Sequence, residues 1–119
     1  MVKTIKKMNI QTLINDWIAA GNAFDTERYL SFYLEDAVLD DPSVGKVFKG
    51  RREIKKYFDS YFIGYNTRTE LVNLDIINNS QAHIEVKFSG NFSEVSIGGL
   101  FHLTFKEGKI AFVKADLIH

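Results

Sequence analysis

The chain reads as an α+β domain, with helices in its first half laid over one face of a curved, mostly antiparallel sheet formed by its second half. Two observations carry this reading. Apolar residues recur at offsets of three and four up to about residue 62, and from Thr67 onward the period falls to two. A third sets the domain count: 119 residues, 45% apolar, contain no linker, internal repeat or low-complexity stretch, so residues 1–119 form one domain around one core.

Ile10, Leu13, Ile14, Trp17, Ile18 and Gly21 make one apolar stripe behind Asn9, a suitable N-cap, and define a helix over roughly 9–22. Asp25 or Thr26 caps a shorter helix whose Tyr29, Phe32 and Tyr33 share a face and which fades near Glu35 and Asp36. The two form a helical hairpin. Ala37-Val38-Leu39-Asp40-Asp41 is strand-like and is stopped by Pro42, which brings no N–H to a ladder and biases Asp41 towards extended backbone. Val44 to Phe48 supplies a short partner strand. Gly50 opens a third helix carrying the widest aromatic stripe of the chain, Ile54, Tyr57, Phe58, Tyr61 and Phe62, and Gly64 ends it.

Four long strands follow. Val72, Leu74 and Ile76 alternate with Leu71, Asn73 and Asp75, and after the Asn78-Asn79-Ser80 hairpin Ala82, Ile84, Val86 and Phe88 alternate with His83, Glu85 and Lys87. Gly98-Gly99 marks a bulge or bend. Phe101, Leu103 and Phe105 then oppose His102 and Thr104, and Lys106-Glu107-Gly108-Lys109 turns the chain into a last strand, Ile110 to Ile118. In that strand Ile110 and Phe112 oppose Ala111, Val113, Ala115 and Leu117, so both sheet faces carry apolar groups. Helices cover one face only, and a homodimer through the other is the expected cover, with His102 packed in it.

Fifteen basic residues balance fifteen acidic ones, which excludes a global field drawing the protein to nucleic acid or to an anionic membrane. A small apolar molecule or a protein is the expected partner. There is no Cys, hence no disulfide and no thiolate metal site. No apolar run reaches the roughly 18 residues needed to span a bilayer, and Met1 to Lys7 is not followed by a signal-peptide core, so a soluble, cytoplasmic protein is expected. His83, His102 and His119 are too widely spaced for a helical metal pair, and no glycine-rich phosphate loop or nucleophile elbow is present. Neither metal nor cofactor is implied.

The stretches Trp17-Ile18-Ala19-Ala20-Gly21-Asn22-Ala23-Phe24-Asp25 and Phe32-Tyr33-Leu34-Glu35-Asp36-Ala37-Val38, then Asp41-Pro42, Gly50 and the closing Phe105-Lys106-Glu107-Gly108-Lys109-Ile110, resemble the nuclear transport factor 2-like superfamily over about residues 8–118. Within it the chain is most similar to the polyketide-cyclase (SnoaL-like) and ketosteroid isomerase branch. The resemblance implies a cystatin-like, cone-shaped shell in which three helices wrap a curved sheet around a pocket, usually as a dimer. It also implies roles. The isomerases of this branch use a carboxylate base immediately before a proline, the place of Asp41. Their oxyanion donor, a Tyr on the first helix, falls at Trp17, and a second donor, a protonated Asp on the penultimate strand, falls at Phe101. Tyr33 and Phe58 match positions where the branch places a Tyr near that donor network.

Strand alternation independently places Ala37, Leu39 and Asp41 on one face and Val38 and Asp40 on the other. If Leu39 points inward, so does Asp41, and a carboxylate that has lost hydration is a better proton acceptor. The plainer reading is turn chemistry, with the Asp side chain capping N–H groups after a strand end. Trp17, Tyr33, Tyr57, Phe58, Phe101 and Val113 are the candidates for lining a pocket, although the same stripes would serve as core. Tyrosines say more than phenylalanines, because a buried hydroxyl needs a partner. The expected function is binding of a small, largely apolar ring or carbonyl compound, with Asp41 as general base for an isomerase- or cyclase-type step and Trp17 Nε1 or a Tyr hydroxyl as donor. The alternative is a non-catalytic ligand-binding or association domain.

Overall fold

The computed structural model describes residues 9–92 and 96–118. The leader expectation for Met1 to Lys7, the placement of the Leu117 side chain and His119 lie outside the described residues. The elements run α1 (Ile10–Asn22), α2 (Thr26–Ser31), β1 (Tyr33–Asp41), a 3₁₀ turn (Pro42–Val44), β2 (Lys46–Lys49), α3 (Gly50–Phe58), a π-helical turn (Asp59–Ile63), β3 (Arg68–Asn78), β4 (Gln81–Ser89), β5 (Ile97–Lys106) and β6 (Lys109–Ile118). One mixed sheet in the order β2-β1-β6-β5-β4-β3 underlies the three helices. Strands β3 to β6 form an antiparallel meander, while β1 runs parallel to β6 and antiparallel to β2. The core between sheet and helices is built from Ile14, Trp17, Tyr29, Tyr33, Leu39, Ile54, Phe58, Ile84, Leu103 and Val113 with their neighbours.

Helix α1 forms where its stripe predicts, and Asn9 caps it, its Oδ1 accepting from Thr12 N at 3.0 Å. Asn22 at its far end fastens it to the sheet: its Nδ2 donates to Thr69 O at 2.9 Å and its Oδ1 accepts from Thr69 N at 2.7 Å. Five details depart from the local reading. Helix α2 stops at Ser31, so Tyr33 starts β1 instead of continuing the helix. The last carbonyls of that turn are claimed by tertiary donors: Ile110 N bonds Phe32 O at 2.8 Å, Lys109 Nζ bonds Ser31 O at 3.1 Å, and Arg51 grips Tyr33 O with Nη2 at 2.6 Å. A parallel ladder with β6 outcompetes another helical turn.

The third helix also changes character. After Phe58 it widens into a π turn, with Gly64 N bonding Asp59 O at 2.9 Å. A Cβ at Gly64 would lie 2.5 Å from Ser60 O, so only glycine allows the chain to leave the turn this way. In β3 a bulge between Leu71 and Asn73 turns Val72 outward, half exposed, and leaves Leu71 and Leu74 to face the core, in place of the expected Val72, Leu74, Ile76 face. In β6 the extra residue Ala111 shifts the register, since Phe105 pairs Ile110 and Thr104 pairs Phe112. Ile110 therefore joins Val113 and Ala115 in the core, opposite Phe112. The bend expected at Gly98-Gly99 is absent; both pair regularly with β4 and β6. Gly99 instead permits close packing, because a Cβ there would meet the Phe88 ring at 2.5 Å.

Candidate functional site

Strand β1 buries Ala37, Leu39 and Asp41 and turns Asp40 the other way, where its carboxylate pairs with Lys114 Nζ at 3.1 Å. The alternation read from the sequence thus delivers Asp41 to the inner face, 5% exposed. It ends the strand at the wall of a cavity of about 150 Å³. The wall is contributed by Ser43 and Val44 of the 3₁₀ turn, Tyr57, Tyr61 and Phe62 of the third helix and its π turn, Tyr65 and Thr67 of the following loop, Phe88 and Phe92, Ile97 and Phe101 of β5, and Ala115 and Asp116 of β6. Among the described residues no Lys, Arg or His lines it.

Three donors meet the Asp41 carboxylate. Oδ1 accepts from Ser43 N at 3.0 Å and Ser43 Oγ at 2.5 Å, and Oδ2 accepts from Tyr57 Oη at 2.9 Å. The turn-capping role and the cavity-facing role are thus both realised by one side chain. Burial, together with the neighbouring Asp41 charge, pushes the Tyr57 phenol well above the ordinary tyrosine range, so Tyr57 is held as a hydroxyl donor. A second network lies deeper. Trp17 Nε1 donates to Tyr33 Oη at 3.1 Å, and the Tyr29 and Tyr33 hydroxyls are 2.8 Å apart. Burial pushes both phenols up, with the neighbouring Tyr29 adding to the effect on Tyr33. Among the described residues every buried side-chain nitrogen and oxygen has a hydrogen-bond partner. Those of the buried tyrosines are other side chains, not backbone carbonyls.

Of the residues singled out from the sequence, Asp41, Tyr57 and Phe101 meet at this cavity. Trp17 lines a separate void of about 10 Å³ beside Phe62 and Phe101. Its indole N–H is occupied by Tyr33, so the donor role considered for it is already filled by the protein itself. Tyr33, Phe58 and Val113 lie behind the wall as core. Sequence reasoning missed Ser43, Tyr65, Phe88, Phe92 and Ile97 as wall residues. An Asp followed two residues later by Ser is a local turn signal that would have found Ser43; the others come together only through the meander. Among the described residues no group of three or more His, Asp or Glu side chains is placed to hold a metal ion, and no helix is long and apolar enough to cross a membrane.

The architecture agrees with a family match: the model of the SnoaL-like domain fits residues 14–113. The chain belongs to the SnoaL-like family. Among solved structures, a candidate polyketide cyclase from Sinorhizobium meliloti is 21% identical with a TM-score of 0.81, covering 93% of this chain and 99% of its own. A candidate ketosteroid isomerase from Kribbella flavida is 15% identical, TM-score 0.79, over 91% and 76% of the two chains. A protein of unknown function with a cystatin-like fold from Methylobium petroleophilum is 16% identical, TM-score 0.84, over 98% and 80%. These solved structures share the fold of this chain, a fold related to that of cyclases and isomerases. Among curated protein sequences none matches this chain.

Proposed function

We propose that this SnoaL-like domain binds a small, largely apolar molecule carrying a ring or carbonyl, and that Asp41 serves as the general base of an isomerase- or cyclase-type proton transfer. One observation carries the reading: a carboxylate 5% exposed ends at the wall of an aromatic cavity and is oriented from both sides. A carboxylate offers about four lone-pair sites, two on each oxygen. Ser43 fills both on Oδ1 and Tyr57 fills one on Oδ2. The remaining site on Oδ2 is the one left to accept a substrate proton. With Trp17 Nε1 occupied, the donor for developing negative charge is assigned to Tyr61, which lines the same cavity beside Tyr57.

The test does not require the natural substrate. In D₂O, exchange of the α-protons of cyclohexanone followed by NMR reports proton abstraction alone. The expected outcome is catalysed exchange that Asp41→Asn lowers by about 10²- to 10⁴-fold while ketone binding persists. Equal exchange by wild type and variant, with the ketone bound to both, would defeat the assignment. The same outcome would favour a second reading, a non-catalytic ligand-binding domain, which is supported by the turn-capping hydrogen bonds between Asp41 and Ser43.

A further inference from the structure

The cavity below Asp41 and the small void under Trp17 are neighbours that do not join. Phe62 and Phe101 line both. Phe88, on the Asp41 side, backs both, standing edge-on to Phe62 at 6.1 Å and 86° and to Phe101 at 6.0 Å and 90°. Phe88 has little room to retreat toward the sheet, because it lies directly over Gly99, where even a Cβ would sit 2.5 Å from its ring. Phe62 is fixed in turn by stacking on Phe58 at 5.4 Å and by Tyr57 at 5.8 Å. Phe62 and Phe101, each in contact with the Phe88 ring, thus form a partition. The Asp41 side holds about 150 Å³ and the Trp17 side about 10 Å³. A dry cavity of about 150 Å³ accommodates a benzene-sized guest in another protein, and about 10–15 Å³ is a single water-sized sphere.

We infer that Phe62, Phe88 and Phe101 set the size of the ligand, so that the site takes a single six-membered ring or its equivalent and leaves a fused second ring no apolar place inside. This rests on the proposed reading of the cavity as a ligand site, but not on Asp41 catalysis. A second fused ring would have to displace one of the braced rings or remain in water, and neither adds affinity. Removing Phe62 merges the two spaces and extends the cavity to Trp17, the only tryptophan of the chain.

Calorimetric titration with cyclohexanone and with the fused bicyclic 2-decalone tests this. Wild type is expected to bind 2-decalone no more tightly than cyclohexanone. Phe62→Ala is expected to gain about 10-fold or more in 2-decalone affinity, the scale on which apolar pockets discriminate added hydrocarbon. In that variant alone, 2-decalone also shifts the Trp17 emission. Phe62→Leu, a milder truncation, is expected to show the same gain in smaller measure and serves if the Ala variant does not fold. Wild-type protein that binds 2-decalone about 10-fold more tightly than cyclohexanone, or folded variants without any gain, would overturn the size limit and leave the Asp41 assignment standing. Absence of binding of either ketone by any of the proteins would overturn the ligand site itself.

Discussion

Alkaline pH should unfold this protein along a slope set by three tyrosines. Tyr29, Tyr33 and Tyr57 are buried, and burial holds each phenol above its ordinary value of about 10. In the unfolded chain they lose their protons around that value; in the folded chain they keep them. Above it the unfolded state binds fewer protons, so stability is complete below about pH 10 and is lost as pH rises towards the folded values. Each group contributes about 1.4 kcal/mol per pH unit, and three contribute about 4 kcal/mol per unit. A domain stable by about 5–15 kcal/mol is exhausted within a few units at that rate. Denaturant unfolding at a series of pH values, followed by circular dichroism, reads the slope, and tyrosinate absorbance reads the protons. Tyr33→Phe removes one group and should lower the slope to about 2.7 kcal/mol per unit, whatever it does to the intercept. A free energy that stays flat between about pH 10 and 11.5, or phenolate absorbance from all five tyrosines with structure retained, would refute the buried network.

Gly99→Ala puts a methyl against the ring tip of Phe88, which lines the cavity and must shift at its wall. Cyclohexanone affinity should fall, with a stability loss of about 1 kcal/mol by thermal unfolding; unchanged affinity would show that Phe88 does not bound the site. For the uncovered sheet face we propose a homodimer, because Val38, Leu100 and Phe112 lie half-buried on it among Thr104 and His102. Light scattering over a concentration series should give twice the chain mass and, for Phe112→Glu, a monomer; a wild-type monomer throughout contradicts the proposal.

Much of this was legible from local signals. Asn9 and the stripe of α1 settle that helix, since a cap and a 3.6-residue period act within a few residues. The hairpin of β3 and β4 and the inward set Phe101, Leu103 and Phe105 follow from a period of two. The inward turn of Asp41 followed from alternation with Leu39. The resemblance to the SnoaL-like branch supplied the shell around these parts, and the family match bears it out. Where partners arrive from afar, the local reading failed. Tyr33 left its helix because Ile110 offered a ladder, and Val72 and Ala111 broke their alternation because bulges are defined only against a neighbouring strand.

The sequence alone determined the α+β class, the helix-then-meander order and the face on which Asp41 lies, because periodicity and capping act over a few residues. The tertiary structure alone decided that Tyr57 orients Asp41, that Tyr33 occupies Trp17, and that Phe62, Phe88 and Phe101 divide the interior. Those pairings join residues at least 13 positions apart, so only the folded sheet, by fixing register and distance, brings donor to acceptor and ring to ring.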